Sequence, residues 1–150
     1  MGFFYANNMA RIVLNIPANL KFSIELKVRV SDLNYGNHLS NDVYLAMMHE
    51  ARMQYFKSMH YSEMDLAGAA VIMGDSAIVY KSECFYGDEI NIAIGAENIG
   101  EKSFDLYYRF TKNENSILVA EAKTGMVCYD YTLRKTVAVP TAFKHKVEQA

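Results

Sequence analysis

A chain of 150 residues, 51% hydrophobic and 21% charged, has the length of one domain and enough apolar side chains for a proper core. Its formal net charge of −2 gives no general pull toward nucleic acid or an anionic membrane surface. No run approaches the roughly 18 apolar residues of a membrane span.

Met1 to Ile16 mixes short apolar pieces with Asn7, Asn8 and Arg11, and lacks the basic opening and continuous apolar stretch of a signal peptide. Cytoplasmic is the expectation. Cys84 and Cys128 each lie in a strand-like stretch without metal-ligand spacing, so buried free thiols in a reducing compartment are expected. No metal or cofactor is called for.

The first strong pattern is period two. Phe22, Ile24, Leu26, Val28 and Val30 alternate with Ser23, Glu25, Lys27, Arg29 and Ser31, which predicts a half-buried strand. Asp32-Leu33-Asn34-Tyr35-Gly36-Asn37-His38 is loop chemistry, with Asx side chains and a glycine to relieve turn strain. Ser40 or Asn41 then caps a helix running to about Met59. On it Tyr44, Met47, Met48, Ala51 and Tyr55 share one face, and Leu45, Met53 and Phe56 cover another. A helix apolar on so many sides is expected to be wrapped by the rest of the chain. Met47, Met48, Met53, Met59 and Met64 are expected to fill core gaps, or to line a tunnel beside the helix. Ser62 to Ala69 is read as a short second helix.

From Ala70 the period returns to two. Val71 to Lys81 predicts a strand broken near Gly74-Asp75. Further strands follow over Ile90 to Ala96, Phe104 to Phe110 (closed by an Asn113-Glu114-Asn115 turn) and Leu118 to Cys128. Thr136 to Val139 adds a short piece before Pro140 and a terminal helical segment. With no internal repeat and no linker, residues 1–150 form a single domain. Short connections make the sheet antiparallel, and one sheet with one apolar helix builds a core only by curling around it. The fold class is therefore α+β: a curled antiparallel sheet of five to six strands around one long central helix, which is the hotdog architecture.

The stretch Val30-Ser31-Asp32-Leu33-Asn34-Tyr35-Gly36-Asn37-His38-Leu39-Ser40-Asn41-Asp42-Val43-Tyr44-Leu45, with His49-Glu50-Ala51-Arg52 after it, resembles the hotdog thioesterases of the 4-hydroxybenzoyl-CoA type. Those carry Asp-x-Asp at the end of a strand, a Gly-His or similar turn, paired Asn residues, Tyr-Leu, and Glu-x-Ala-Arg on the helix. The resemblance covers Phe22 to about Val139. It implies hydrolysis of an acyl-CoA or acyl-carrier-protein thioester to free acid and thiol, with no cofactor beyond the CoA of the substrate. It also implies a homodimer, or a tetramer built as a dimer of dimers, and an acyl chain lying between helix and sheet near the subunit boundary.

Two positions depart from the family pattern. Asn34 stands where the second Asp belongs, and Asp32 matches the first. The helix acid three residues before the Arg falls on His49, with Glu50 beside it. An amide does not titrate usefully, so Asn34 cannot be the base or the nucleophile. Either the acid role has moved or hydrolysis has been lost.

Thioester hydrolysis needs a donor to the developing oxyanion and a group that activates water or attacks directly. A helix start supplies the first, since its early N–H groups are unpaired and its dipole favours negative charge. The backbone N–H of Asn41 is where the resemblance implies that donor, with Ser40 and Tyr44 alongside as substrate-binding residues. For the second, His49 and Glu50 rank first, then His38, then Asp32. Asn34 would hold the water or the thioester carbonyl.

Each assignment has a plainer rival. Asp32 bonds turn amides, His38 orders its loop, Asn34 is a turn residue, His49 is a satisfied polar residue on a packed helix, and Glu50 and Arg52 are an ordinary surface pair. Lys144-His145-Lys146, with Arg134 and Lys135, reads as a solvated surface or as a contact for CoA phosphates. Two other functions stay open. A hotdog hydratase carries Asp-x-Asn-Pro-x-His, of which Asp32, Asn34 and a displaced His38 are a partial echo without the proline. The other is a non-catalytic acyl-thioester-binding dimer.

Overall fold

In the computed structural model, which describes residues 12–150, the first alternating stretch forms β1 (Phe22–Lys27). The strand stops three residues short of the predicted Val30. Val28 still packs inward, but Val30–Asp32 close into a 3-10 turn with Val30 on the surface. Helix α1 (Asn41–Ser58) follows, then β2 (Ala70–Tyr80), β3 (Glu89–Glu97), β4 (Ser103–Lys112), β5 (Ile117–Asp130), the short β6 (Lys135–Thr136) and α2 (Thr141–Gln149). The reading of Met1 to Ile16 falls largely on residues 1–11, outside the described residues.

The strands form one antiparallel six-stranded sheet in the order β1-β3-β4-β5-β2, with β6 paired to the end of β5. The register sets the alternation: Ile90, Ile92, Ile94, Phe104, Leu106, Tyr108, Phe110, Ala120, Ala122, Met126 and Cys128 all point inward. Each fully buried Ile or Phe among them contributes ~1.5–3 kcal/mol of transfer free energy. Against this face lies α1, burying Tyr44, Met47, Met48, Ala51, Arg52, Tyr55 and Phe56 in an i, i+3, i+4 stripe. The sheet thus curls around one long helix, in the α+β arrangement expected.

Several expectations change. Within one chain α1 is wrapped on one side only: Phe56 joins the buried stripe, while Leu45 and Met53 are exposed. Met47 and Met48 are core, whereas Met53 and Met64 are on the surface. Ser62 to Ala69 is not a helix. It makes turns in which Asp65 accepts from the Gly68 amide, Leu66 pairs with Ala69, and Ala67 and Gly68 adopt positive φ. The expected break in β2 is real: its register against β5 shifts between Met73 and Asp75. Asp75 clamps the bulge, accepting from the Gly125 amide and from Lys123 Nζ, each at 2.9 Å. A Cβ on Gly125 would come 2.6 Å from Asp75 Oδ1, so a larger residue there would displace the Asp75 carboxylate from this clamp. Cys84 and Cys128 are buried free thiols, both pushed up to about 11 by burial. Lys146 donates to the Met59 carbonyl and lies over the Tyr61 ring.

Candidate active site

The loop from Arg29 to Ser40 is fixed mainly by two side chains. Asp32 is 4% exposed, and its carboxylate accepts from the Arg29 amide at 2.8 Å and from both Nε and Nη2 of the Arg29 guanidinium at 3.2 and 3.0 Å. The side-chain bonds from Arg29 hold its carboxyl below the ordinary value, outweighing the opposing effect of burial. Its carbonyl accepts from the Ser40 amide at 3.0 Å, which ties the turn to the start of α1. Asn34 is equally occupied. Its Oδ1 accepts from the amides of Gly36 at 2.9 Å and His38 at 3.4 Å, and its Nδ2 lies 3.3 Å from His38 Nδ1. His38 in turn bridges to Phe85, and Leu39 donates to the Cys84 carbonyl. Asp32 and His38 share no hydrogen bond among those of the described residues. The two groups a hydratase would bring to bear together are thus engaged elsewhere.

Ser40 is the N-cap of α1, but its hydroxyl donates to the Asp42 carboxylate rather than capping a backbone amide. As the first helical residue, Asn41 has an N–H with no acceptor inside the helix. Tyr44 is 3% exposed, packed edge-on against Tyr80 at 5.0 Å and against Phe110 at 5.4 Å. Burial pushes its hydroxyl well above the ordinary value. It is a core residue in this chain rather than part of an open binding surface.

Two cavities open along α1, and they separate residues that are adjacent in sequence. One, of about 610 Å³, is lined by Leu26, Lys27, Val43, Met47, Asp32 and Glu50, among others. The other, of about 270 Å³, lies between α1 and the β2 and β5 strands, lined by Leu45, Met48, His49, Arg52, Met73 and Thr124, with Ala46 shared between both. His49 and Glu50 therefore face different cavities. Glu50 accepts from Gln54 one turn on and is not paired with Arg52.

His49 faces a carboxylate that the sequence did not single out. Its Nε2 lies 3.2 Å from Glu63 Oε2, and the other oxygen of Glu63 accepts from Arg52 Nε. Arg52, 8% exposed, continues inward to Tyr108 Oη at 3.4 Å, which lies 3.0 Å from Thr124 Oγ1. Burial opposes the Arg52 cation, but Tyr108 and Glu63 outweigh it and its pKa is raised. The signal for Arg52 was present in the sequence: it falls on the buried 44-47-48-51-52-55 stripe, where a cation must be paired. Nothing local marked Glu63, which lies in a segment read as helix. Among the described residues no group of His, Cys, Asp and Glu could hold a metal ion.

The arrangement offers a helix-start N–H for an oxyanion, and an imidazole facing a carboxylate beside a partly apolar cavity. Comparison with known proteins agrees in kind. Residues 28–147 match the family described as the thioesterase-like superfamily. Over 61 residues the chain is 39% identical to the 1,4-dihydroxy-2-naphthoyl-CoA hydrolase of Microcystis aeruginosa, a match spanning 41% of this chain and only 43% of that relative. Over 126 residues it is 26% identical to the long-chain acyl-CoA thioesterase FadM of Escherichia coli, covering 83% and 96% of the two chains. The crystal structure of Slr0204, a 1,4-dihydroxy-2-naphthoyl-CoA thioesterase from Synechocystis, superposes with a TM-score of 0.76 at 22% identity, covering 84% and 94%, and so shares the fold. The chain belongs to the thioesterase-like superfamily, with the hotdog fold and the thioester-hydrolysing chemistry of that family.

Proposed function

We propose that this chain hydrolyses acyl-CoA thioesters to free acid and CoA as a homodimer, with His49 as the general base and the Asn41 amide as the oxyanion donor. The observation that carries the reading is the His49 imidazole, set on Glu63 at the lip of the α1–β2–β5 cavity. A base must reach the attacking water, and water must reach the thioester carbon. An imidazole whose Nε2 donates to a carboxylate keeps its Nδ1 lone pair for that proton. Relatives that act on acyl-CoA substrates, by their names, support CoA over a carrier protein. A cytoplasmic location agrees with the buried free thiols.

Spacing supports the dimer. Asn41 and His49 are eight residues apart on one helix, about 12 Å along its axis. The ring of His49 is drawn to Glu63, which follows the far end of α1. A carbonyl within about 3 Å of the Asn41 amide therefore lies far from the same chain's imidazole. A second copy, placing its own His49 near that amide, closes the gap. The edge strand β2, with exposed Met73 sharing a cavity with exposed Leu45 on α1, offers a surface for it.

The test is release of CoA from short-, medium-, long-chain and aromatic acyl-CoAs, followed with a thiol reagent. Turnover of one class above background is expected. A flat response across the panel would favour a non-catalytic acyl-thioester binder.

A further inference from the structure

We propose that Glu63 is a positioning residue that fixes the orientation and the tautomer of His49. This rests on the reading of His49 as the base. Glu63 has the features of a group built to hold another in place. Its backbone carbonyl accepts from the Val71 amide at 2.8 Å, so the start of β2 pins the residue from below. Its two carboxylate oxygens are divided, one to Arg52 Nε and one to His49 Nε2. Arg52 is itself held by Tyr108, and Tyr108 by Thr124, so the carboxylate is anchored on a cation fixed from the buried side. The outermost member, His49, has a side chain that is 55% exposed. An imidazole so exposed would otherwise sample several rotamers and both tautomers.

The donor and acceptor inventory makes the arrangement directional. Arg52 can only donate, so it always claims an acceptor oxygen from residue 63. With a carboxylate there, the second oxygen is also an acceptor, and His49 presents Nε2–H to it. Nδ1 is then the unprotonated nitrogen. With glutamine, Arg52 takes the single amide oxygen and the NH2 group turns to His49. Nε2 must then accept, and the ring proton moves to Nδ1. Glu63→Gln therefore preserves size, shape and hydrogen-bond number while placing the proton on the nitrogen that must be free.

The experiment pairs steady-state kinetics with 15N NMR of His49 in the full-length chain, for wild type, Glu63→Gln, Glu63→Ala and His49→Ala. The expected wild-type tautomer is Nε2–H. In Glu63→Gln it becomes Nδ1–H, and kcat falls by ~10²–10⁴-fold, the loss of a general base, with KM little changed. Glu63→Ala loses the fixed tautomer and about 10–100-fold in kcat, as for other orienting partners. Adding Glu63→Gln to His49→Ala costs nothing further. A folded Glu63→Gln protein with wild-type kcat or wild-type tautomer overturns the proposal. A silent His49→Ala instead overturns the reading on which it rests, and the proposal with it. Should Glu63→Ala fail to fold, Glu63→Gln, which keeps every bond in number, decides alone.

Discussion

His49 and Glu50 are consecutive in the chain but line different cavities of α1, His49 beside β2 and β5 and Glu50 beside β1. One helical step of about 100° separates two carriers of the same candidate role. His49→Ala is therefore expected to lower kcat by ~10²–10⁴-fold. Glu50, exposed and accepting from Gln54, keeps an acceptor oxygen for that contact in Glu50→Gln, so stability should change by no more than a few tenths of a kcal/mol. Its kcat should change by far less. Steady-state rates of the two variants settle the matter, and the reverse ranking would move the chemistry to the β1 side.

The Asp32 carboxylate holds the turn before α1 through Arg29. Its carboxyl lies below the ordinary value, so the folded state prefers the ionised form. The stability this contributes is present above the unfolded pKa and is lost as pH falls through the folded one. Asp32→Asn is expected to cost about 1 kcal/mol at neutral pH, at the low end for charged hydrogen bonds because the Arg29 side chain is 76% exposed. In urea melts the gap between variant and wild type should narrow as pH falls below the ordinary carboxylate range of about 4. A gap that holds constant or widens on acidification would contradict the ion pair as its source.

The fold was legible because periodicity is a property of neighbours. The alternation in Ile90 to Ala96 and Phe104 to Phe110, and the break at Gly74-Asp75, needed no tertiary information. The site was less so. Resemblance led to the segment from Asp32 to Arg52, but not to the choice among His49, Glu50, His38 and Asp32, which depends on what each side chain meets. Asp32 meets Arg29, His38 meets Asn34, and His49 meets Glu63, fourteen residues away across turns whose geometry no local pattern encodes. The exposed side of α1 misled for a related reason. Leu45 and Met53 are apolar without being covered by their own chain.

Asn34 is the position where the family's acid would stand, and its amide is spent on the loop. Asn34→Ala removes the acceptor for the Gly36 and His38 amides and should cost about 1–2 kcal/mol, read as a lower Tm. Asn34→Asp keeps that acceptor and adds a carboxylate beside His38. Turnover of the Asp variant should be at least that of the wild type. Loss of turnover in a folded Asn34→Asp protein would mean that the amide Nδ2–H itself serves the reaction.

The shared site can be tested by subunit mixing, because the Asn41 amide can be deleted without disturbing the helix. Proline is favoured at the first helical position, where its missing N–H had no helical acceptor. Ser40 before it already has the extended φ of −74° and ψ of 144° that a following proline demands. Asn41→Pro should fold normally and lose ~10²–10³-fold in kcat, the cost of one oxyanion donor. His49→Ala should be inactive for its own reason. If each site pairs the amide of one protomer with the imidazole of the other, a mixed dimer of the two variants contains one wholly wild-type site and one doubly defective site. Unfolding and refolding an equal mixture should then restore about a quarter of wild-type activity, since half the two-fold dimers are mixed and each has one working site. If both groups act within one chain, every site in the mixture carries a defect and nothing is recovered. Light scattering on the same samples supplies the control: a stable monomer at micromolar concentration would remove the dimer on which the recovery depends.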